Sequence, residues 1–563
     1  ARAIRNGRLS SVEATQAHLE RIARLNGPIN ALVLVDRDGA MKAARAADRA
    51  ADRARSKKNG LGPLHGVPIT IKEAFDVKGL RTTSSHPPLK DNVAGEDASV
   101  VARLRAAGAV ILGKTNVPEL CADFQTDSPL FGTSKNAWDA RRTAGGSTGG
   151  GAVAVAARLS PLELGSDIGG SVRNPAHYNG IFALKPTEWR VPARGHVPNL
   201  PGRPRTDRYM GVFGPLARSV EDLETALRII SGPDGYTAEM PPVPIGPAPA
   251  ANASDLTIAV IESNPLMRVS ADTAAVVQQT ARLLAKAGAK VKRAEPAGLD
   301  WQQGWEDWCD LFHYLVRAFQ PLSEREPTFG LTESADPTER SAGRTARLDI
   351  GDFFAVLHRR DRIMRQCEDF LDDYDAWLMP VMPDAAFIRQ AQSEPLVIDG
   401  TPHPYFFAGT TYNFLANLTG QPSIVLPCGF SREGLPIGLQ LTGKRWGDAE
   451  LLGIAKALEK LLPPCPLPPN YCGFEDRLPA RELLLLEGRE RGGLHLLDLG
   501  QVLAKLLHAL AHRRIRHRRD GRGIELVDDV LGRALGRPQA VPDADHHRIA
   551  RLGRRRDVGH GGR

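Results

Sequence analysis

Cysteine and long apolar runs are both scarce in this chain of 563 residues. The six cysteines are scattered without close repeated pairing, which argues against a disulfide framework and against a CxxC zinc ligand set. No apolar run approaches the about 20 residues that a transmembrane helix requires, and the first residues lack the apolar core of a signal peptide. We therefore expect a protein of a reducing compartment, the cytoplasm, with no membrane partner.

Positive charge is concentrated near the carboxy terminus. The chain carries 73 basic and 65 acidic residues, and 19 of the basic and 13 of the acidic residues lie between Tyr471 and Arg563. The rest of the chain is almost neutral and offers no electrostatic argument for nucleic-acid binding. With 42% hydrophobic and 25% charged residues, the composition is that of a folded globular protein.

Alternating helix and strand patterns predict an α/β fold. The β-branched run Gly66–Ile71 indicates a buried strand, and Ala98–Leu112 indicates a helix followed by a strand. Leu256–Ile261, Asp272–Ala287 and Lys290–Arg293 form a strand–helix–strand unit. Further predicted elements are helices within Ser10–Ala54 and at Ala449–Leu462, and strands at Ser423–Leu426 and Ile437–Leu441.

Lys72 is the first candidate for catalysis. It follows the apolar run Val67–Ile71, where loss of solvation lowers the pKa of a lysine and lets its neutral amine accept protons near neutral pH. The alternative is a surface lysine paired with Glu73.

The second candidate lies in a glycine-dense stretch from Ala144 to Gly180, where the backbone can approach a ligand closely. Gly169 and Gly170 directly precede Ser171, so several backbone N–H groups can converge on an oxyanion beside a serine nucleophile. A glycine turn that carries a solvated serine is the alternative.

The order of the motifs resembles the amidase signature family. Lys72 in GVPITIKE, Ser147 in AGGSTGGG and Ser171, 24 residues later in GSDIGGSVR, match its pattern. The similarity extends over GKTNVPEL, FGTSKNAWD, LKPT, GPLARSVEDL, NLTGQPSIVLPCG and EGLPIGLQLTG, and covers roughly residues 1–462. This resemblance implies an α/β fold in which a large mixed β-sheet is flanked by helices on both faces.

The resemblance also implies an activity. It implies hydrolysis of a small-molecule carboxylic amide to the acid and ammonia or an amine, through a serine acyl-enzyme and without metal or organic cofactor. Ser171 would be the nucleophile, Ser147 the bridging serine in a cis peptide, and Lys72 the base acting through Ser147. The oxyanion hole would be formed by the backbone amides of Ile168, Gly169, Gly170 and Ser171. A homodimer is compatible with this interpretation.

Several residues depart from the family pattern and bear on the substrate. Thr148 stands where a second serine is usual, and Glu73 begins a Glu-Ala-Phe segment where Asp-Asn is more common. Trp189 replaces the glycine usual after LKPT. The predicted substrate contacts are Cys121, Ala122, Asp123 and Thr148.

The resemblance divides the chain into regions. Residues 1–462 are predicted to form the amidase signature domain, within which the aromatic-rich stretch of about 296–410 is a substrate-specific insertion. Residues 463–563 are rich in arginine but poor in lysine, which indicates a poorly ordered extension or a segment read in a shifted frame. The arginine-rich stretch His512–Arg519 also allows the less favoured hypothesis that this tail binds nucleic acid.

Three alternative functions compete with the amidase interpretation. The first is the glutaminase component of a tRNA-dependent amidotransferase, its A subunit, which releases ammonia for a partner. The second treats Ser147 in GxSxG as the nucleophile of an α/β-hydrolase, with a histidine such as His313, His358 or His403 as the base. The third is an NTPase, because Gly108–Thr115 matches GxxxxGK[ST]; however, the predicted strand inside the motif argues against a phosphate loop.

Overall fold

A mixed sheet of eleven strands organises the chain. The computed structural model describes residues 1–57, 60–197, 208–318, 320, 322–347 and 349–471. These residues belong to a unit that spans Ala1–Glu475. Of the predicted 463–563 extension, the part from Cys472 onward lies outside the described residues, as does the stretch His512–Arg519.

The described strands alternate with helices along most of the chain. In chain order the strands are β1 (Leu32–Val35), β2 (Pro68–Lys72), β3 (Val110–Thr115), β4 (Asp127–Ser128), β5 (Gly132–Thr133), β6 (Leu162–Asp167), β7 (Phe182–Lys185), β8 (Val212–Ala217), β9 (Thr257–Val260), β10 (Lys290–Arg293), β11 (Ala376–Pro380), β12 (Leu396–Ile398), β13 (Thr401–His403), β14 (Ser423–Phe430) and β15 (Pro436–Thr442).

The α-helices follow the same order. They are α1 (Arg2–Arg5), α2 (Ser11–Ile29), α3 (Arg37–Lys57), α4 (Ser99–Ala106), α5 (Gly149–Ala156), α6 (Arg173–Asn179), α7 (Val220–Ile230), α8 (Ala271–Lys286), α9 (Trp301–Arg317), α10 (Leu322–Arg325), α11 (Pro337–Thr345), α12 (Ile350–Phe370), α13 (Tyr405–Thr410), α14 (Phe414–Leu418) and α15 (Asp448–Glu459). Within the described residues, no helix is both long and apolar enough to cross a membrane.

The order of strands in the sheet brings the candidate residues together. It runs β1-β3-β2-β6-β8-β7-β14-β15-β11-β9-β10, with β2 parallel to both β3 and β6. Because parallel neighbours end at the same edge of a sheet, the carboxyl ends of β2 and β6 are adjacent. Lys72 ends β2, and the glycine loop that carries Ser171 follows β6.

Two apolar cores cover the two faces of the sheet. Successive residues of β3 alternate between them: Ile111 packs with one core, and Val110 and Leu112 pack with the other. Helices α4, α7, α8 and α15 contribute to the first core, and α2, α3, α5 and α6 to the second. The predicted mixed sheet with helices on both faces is confirmed.

Most predicted elements are present, with boundaries shifted by a few residues. The predicted strand at Lys290–Arg293 is β10, and the predicted helix Asp272–Ala287 is α8 at Ala271–Lys286. Five strands of the main sheet, β1, β6, β7, β8 and β11, were not predicted; β1 at Leu32–Val35 interrupts the region read as helical. Asn30 adopts the left-handed conformation with φ 49° and ends α2 just before that strand.

The predicted insertion of about 296–410 contributes to the main sheet as well as to the surface. Its strand β11 lies between β15 and β9 and pairs with both. Helix α9 and β11 share a third apolar cluster in which Trp301, Trp305, Trp308 and Trp377 are buried. Because β11 is an internal strand of the sheet, this stretch is integral to the fold.

Candidate active site

The amine of Lys72 lies at the centre of the candidate site. The residue ends β2 in the interior of the sheet and is fully buried. Its Nζ atom lies 2.7 Å from Ser147 Oγ and 2.9 Å from Ser166 Oγ. The predicted pair of Lys72 and Ser147 is therefore in direct contact, and the surface interpretation of Lys72 is wrong.

Burial controls the protonation of Lys72. Loss of solvation lowers its pKa from the ordinary 10.5, whereas the neighbouring Cys121 thiol and the Asp167 carboxylate act in the opposite direction. The lower pKa favours a neutral amine, which has a lone pair and can accept a proton.

Ser147 lies on a crowded loop that leads into α5. The Gly146–Ser147 peptide is cis. A methyl group at Gly146 would lie 2.4 Å from the Asp123 carbonyl oxygen and 2.6 Å from that of Gln125, so a side chain has no space there. Ser147 is 1% exposed. These contacts fix the hydroxyl beside Lys72.

Backbone contacts join the loop of Ser147 to that of Ser171. The Thr148 amide donates to the Ser171 carbonyl oxygen at 3.1 Å. Ser171 retains 7% exposure, whereas Thr148 is fully buried and its hydroxyl lies 3.5 Å from the Ser166 carbonyl oxygen. The structure therefore brings Lys72, Ser147 and Ser171 to one place and leaves Thr148, a predicted substrate contact, without an exposed face.

A buried ion pair shapes the loop before Ser171. The Asp167 carboxylate accepts from the amides of Gly170 at 2.8 Å and Val172 at 3.0 Å, and pairs with Arg173 at 3.0 Å. Burial alone would raise the pKa of Asp167, but the Arg173 guanidinium and the amide donors hold it well below the ordinary value. Asp167 therefore remains a carboxylate that fixes the loop.

The same contacts decide which predicted oxyanion donors stay free. The Gly170 amide is directed at Asp167 and is already used. Within the described part of the chain, the amides of Ile168, Gly169 and Ser171 donate to no protein acceptor. Gly170 has φ +112°, a conformation that favours glycine, and this turn sets the direction of the adjoining amides.

Aromatic side chains form a wall beside the glycine loop. Trp308 donates from Nε1 to the Ile168 carbonyl oxygen at 3.0 Å, and its ring would lie 2.8 Å from a methyl group at Gly169. Phe312 stacks on Trp308 at 5.6 Å between ring centroids, and Phe406 stacks on it at 5.9 Å. Phe312 and Phe406 are only partly buried. We call Trp308, Phe312 and Phe406 the aromatic wall.

The predicted substrate loop lies on another side of the site. Cys121 contacts Ser84, with 3.5 Å between Sγ and Oγ, and it interacts with Lys72. Asp123 accepts a hydrogen bond from the Tyr405 hydroxyl at 2.5 Å, and burial raises the pKa of its carboxyl group. Ala122 is exposed.

Sequence reasoning missed two residues of the site, Ser166 and His196. Ser166 Oγ accepts from Lys72 and lies 3.0 Å from His196 Nε2. Ser166 stands inside the GSDIGGSVR motif and could have been noticed there. His196 lies outside the motifs, in an isolated bridge with Phe75, and no local pattern points to it.

The GxxxxGK[ST] and GxSxG motifs lack the structural surroundings that a phosphate loop and an α/β-hydrolase site require. Gly108–Thr115 runs from a turn into β3, and no helix opens at Lys114. Lys114 is buried and lies 3.7 Å from the Glu73 carboxylate, so the amine expected to bind phosphate forms an internal ion pair. Among the three histidines considered as a base for Ser147, His313 contacts Ser341 at 2.9 Å. Ser147 Oγ instead contacts Lys72 Nζ.

Comparison with known proteins identifies the family of the chain. The family model described as Amidase matches residues 13–452. An indoleacetamide hydrolase of Bradyrhizobium diazoefficiens is 35% identical, over 82% of this chain and 85% of that protein. The A subunit of the glutamyl-tRNA(Gln) amidotransferase of Roseiflexus castenholzii is 33% identical, over 81% of this chain and 93% of that protein.

The fold has a matching solved structure. A bacterial aryl acylamidase of the amidase signature enzymes superposes with a TM-score of 0.69 at 23% identity, covering 82% of this chain and 94% of the other. This likeness shows the fold. The family model and the 35% identical relative show that the chain belongs to the amidase family, and its reaction is hydrolysis of the carbon–nitrogen bond of a carboxylic amide.

Proposed function

We propose that this amidase works through Ser171 as nucleophile, Ser147 as proton relay and Lys72 as base. The observation that carries the proposal is the contact of 2.7 Å between Ser147 Oγ and the fully buried Lys72 Nζ. A buried lysine with a lowered pKa, aimed at a serine beside a glycine loop, is suited to activate a hydroxyl nucleophile.

The proposed reaction has two halves. Ser171 Oγ attacks the amide carbonyl carbon while its proton passes to Ser147, and the proton of Ser147 passes to Lys72. The tetrahedral intermediate places its oxyanion against the free amides of Gly169 and Ser171. Its collapse releases ammonia or an amine, which takes the proton back through Ser147, and water then hydrolyses the acyl-enzyme by the same route.

Covalent labelling tests these roles. A fluorophosphonate probe should label the wild-type protein at Ser171, as located by mass spectrometry of the labelled peptide, and Ser171→Ala should abolish the label. Ser147→Ala should slow labelling by about 10²–10⁴-fold, the range for losing acid–base assistance, with the adduct still on Ser171. An adduct on Ser147 would support the α/β-hydrolase alternative instead.

The aromatic wall supports a substrate with an apolar, aromatic acyl side. Phe312 and Phe406 expose part of their rings next to the loop that carries Ser171, where the acyl part of an amide lies during attack. The relative from Bradyrhizobium is an indoleacetamide hydrolase, in agreement with an arylalkyl amide. Burial of an aromatic group is worth about 1.5–3 kcal/mol, so kcat/KM for phenylacetamide should exceed that for acetamide by about 10- to 100-fold.

An assay of ammonia release measures the preference for phenylacetamide over acetamide and tests whether the aromatic wall causes it. Phe312→Ala should reduce the ratio of the two kcat/KM values because it removes one face of the wall, while kcat/KM for acetamide should change little. Equal rates for the two amides would exclude the aromatic substrate class but leave amide hydrolysis intact.

The glutaminase component of an amidotransferase is the second candidate, because a relative of that kind is 33% identical over most of its length. The purified chain alone should release ammonia from simple amides if it is a free hydrolase. Glutamine hydrolysis that requires tRNA and partner proteins would favour the amidotransferase.

The remaining organisation is part of the same proposal. We assign catalysis to residues 1–462, substrate-specific contacts to about 296–410, and no catalytic role to 463–563. A cytoplasmic homodimer stays a prediction, and analytical ultracentrifugation checks the oligomeric state.

A further inference from the structure

The site continues beyond Lys72 into a buried chain of hydrogen bonds that ends at His196. Lys72 Nζ lies 2.9 Å from Ser166 Oγ, and His196 Nε2 lies 3.0 Å from the same oxygen. His196 is 5% exposed and Ser166 is 6% exposed. One hydroxyl group is therefore shared between the candidate base and a buried imidazole.

The position of the His196 ring is closely defined by its neighbours. Its centroid lies 4.7 Å from that of Phe75, at 65° between the ring planes, and 4.7 Å from that of Phe213. Phe213 is the direct partner of Ser166 across strands β6 and β8. This packing points Nε2 at Ser166, whereas the buried Nδ1 has no hydrogen-bond partner among the described residues.

The surroundings keep the His196 imidazole neutral. Burial lowers its pKa well below the ordinary 6.5, and the nearby Lys72 lowers it further. The other ionisable groups around this part of the site are Glu163 and Asp167 of β6 and Cys121, all of which interact with Lys72. A neutral imidazole has one nitrogen that donates and one that accepts.

The direction of the Ser166 hydroxyl hydrogen decides whether Lys72 can accept a proton from Ser147. If that hydrogen points at Lys72, it occupies the only lone pair of the neutral amine, and Ser147 cannot deliver its proton. If it points at His196 Nε2, Ser166 Oγ accepts an N–H from Lys72 and the lone pair remains free for Ser147. Only the second arrangement is productive.

We propose that His196 is a positioning residue whose Nε2 accepts the Ser166 hydroxyl hydrogen and thereby directs the lone pair of Lys72 toward Ser147. The inference rests on the proposed function, in which Lys72 is the base. In this tautomer the proton of the imidazole is on Nδ1, which has no hydrogen-bond partner among the described residues.

Substitution of His196 tests the proposal. His196→Phe fits between two aromatic rings but removes the acceptor, so kcat should fall by about 10- to 100-fold, less than the loss of a whole general base, with KM nearly unchanged. His196→Gln should recover most of that loss because its side-chain oxygen reaches the position of Nε2. His196→Asn, which reaches only the position of Nδ1, should not.

The pH profile adds a readout that a structural role would not change. An acceptor at the end of the chain stabilises protonated Lys72 by making Ser166 a better acceptor. The rising limb of kcat/KM should therefore move to lower pH in His196→Phe. His313→Phe is the matched control, because His313 is another buried histidine bonded to a buried serine, Ser341, and its loss should leave this limb in place.

A double-mutant cycle tests whether His196 acts on Lys72 through Ser166. If His196 acts only through Ser166, then His196→Phe should change kcat by less than about twofold in a Ser166→Ala background. Additive effects, or a wild-type pH profile and kcat in folded His196→Phe, would overturn the positioning role while Lys72→Ala remained inactive. An active Lys72→Ala variant would instead overturn the proposed function itself. If His196→Phe does not fold, the comparison of the Gln and Asn variants decides.

Discussion

At the scale of single residues, the site depends on burying groups that normally stay in water. Lys72 is fully buried at the end of β2, and Glu163 is fully buried on the neighbouring strand β6. Burial disfavours the charged form of each group, so it lowers the pKa of the lysine and raises that of the carboxyl group. These opposite shifts make two separate predictions.

The first prediction concerns activity and pH. If Lys72 is the base, it must be neutral in the free enzyme, so kcat/KM should rise with pH through an ionisation below the ordinary lysine value of 10.5. Lys72→Ala should abolish acylation while the circular dichroism spectrum stays native. Substantial activity in that variant would mean that another group takes the proton.

The second prediction concerns stability. Burial raises the pKa of Glu163 from 4.5 to about 7, although Thr115 donates to it at 2.6 Å. The folded protein therefore retains a proton that the unfolded chain loses above pH 4.5. The stabilising contribution of this group is full below that pH and is lost as the pH rises to about 7. Glu163→Gln should raise the free energy of unfolding by about 3 kcal/mol at pH 8 and by much less at pH 5.

Urea denaturation at the two pH values measures this difference. Glu20→Gln, at an exposed position of α2, is the control and should leave the difference between the two pH values unchanged. A Glu163→Gln variant with the same small effect at both pH values would show that this carboxyl group is ionised in the folded protein.

At the scale of elements, helix α5 sets the position of Ser147. Its first turn is Gly149, Gly150 and Gly151, and a methyl group at Gly150 would lie 2.5 Å from the Asn116 amide nitrogen and 2.6 Å from the Ala31 carbonyl oxygen. These are backbone atoms of neighbouring segments and cannot rotate away. The three glycines therefore let α5 lie directly against the sheet.

The third prediction follows from this close approach. Gly150→Ala should displace α5, lower the free energy of unfolding by at least about 1–3 kcal/mol and reduce kcat strongly, because Ser147 precedes this turn. Gly330→Ala is the control, since a methyl group there meets no atom within 4 Å. Its Tm and kcat should stay close to those of the wild type. A Gly150→Ala protein with wild-type kcat would show that the helix position does not matter to Ser147.

At the scale of the whole molecule, all the residues proposed for catalysis lie in the unit Ala1–Glu475. The fourth prediction is that a chain truncated after Arg477 keeps amide hydrolysis within about threefold, because the proposed base, relay and nucleophile all precede Gly180. Ammonia release by the two proteins makes the comparison. A soluble but inactive truncated protein would contradict it, and salt-sensitive nucleic-acid binding that is lost on truncation would revive the binding hypothesis for the tail.

The sequence by itself determined the family and the α/β class, and it predicted Lys72, Ser147 and Ser171 as the catalytic residues. The reason is that these depend on local patterns: Lys72 ends an apolar run, and Ser147 and Ser171 each stand beside closely spaced glycines. Strand and helix positions such as β10 and α8 follow from periodicity within short windows.

Only the tertiary structure decided which groups surround these three. His196 reaches Ser166 because it pairs with Phe75, which follows β2, and β2 is the neighbour of β6 in the sheet. Strand β11 enters that sheet from a stretch predicted to be an insertion. The Gly170 amide is taken by Asp167, which no count of glycines shows. Contacts between residues far apart in the chain depend on strand order, and strand order is set by packing of the whole molecule rather than by any local segment.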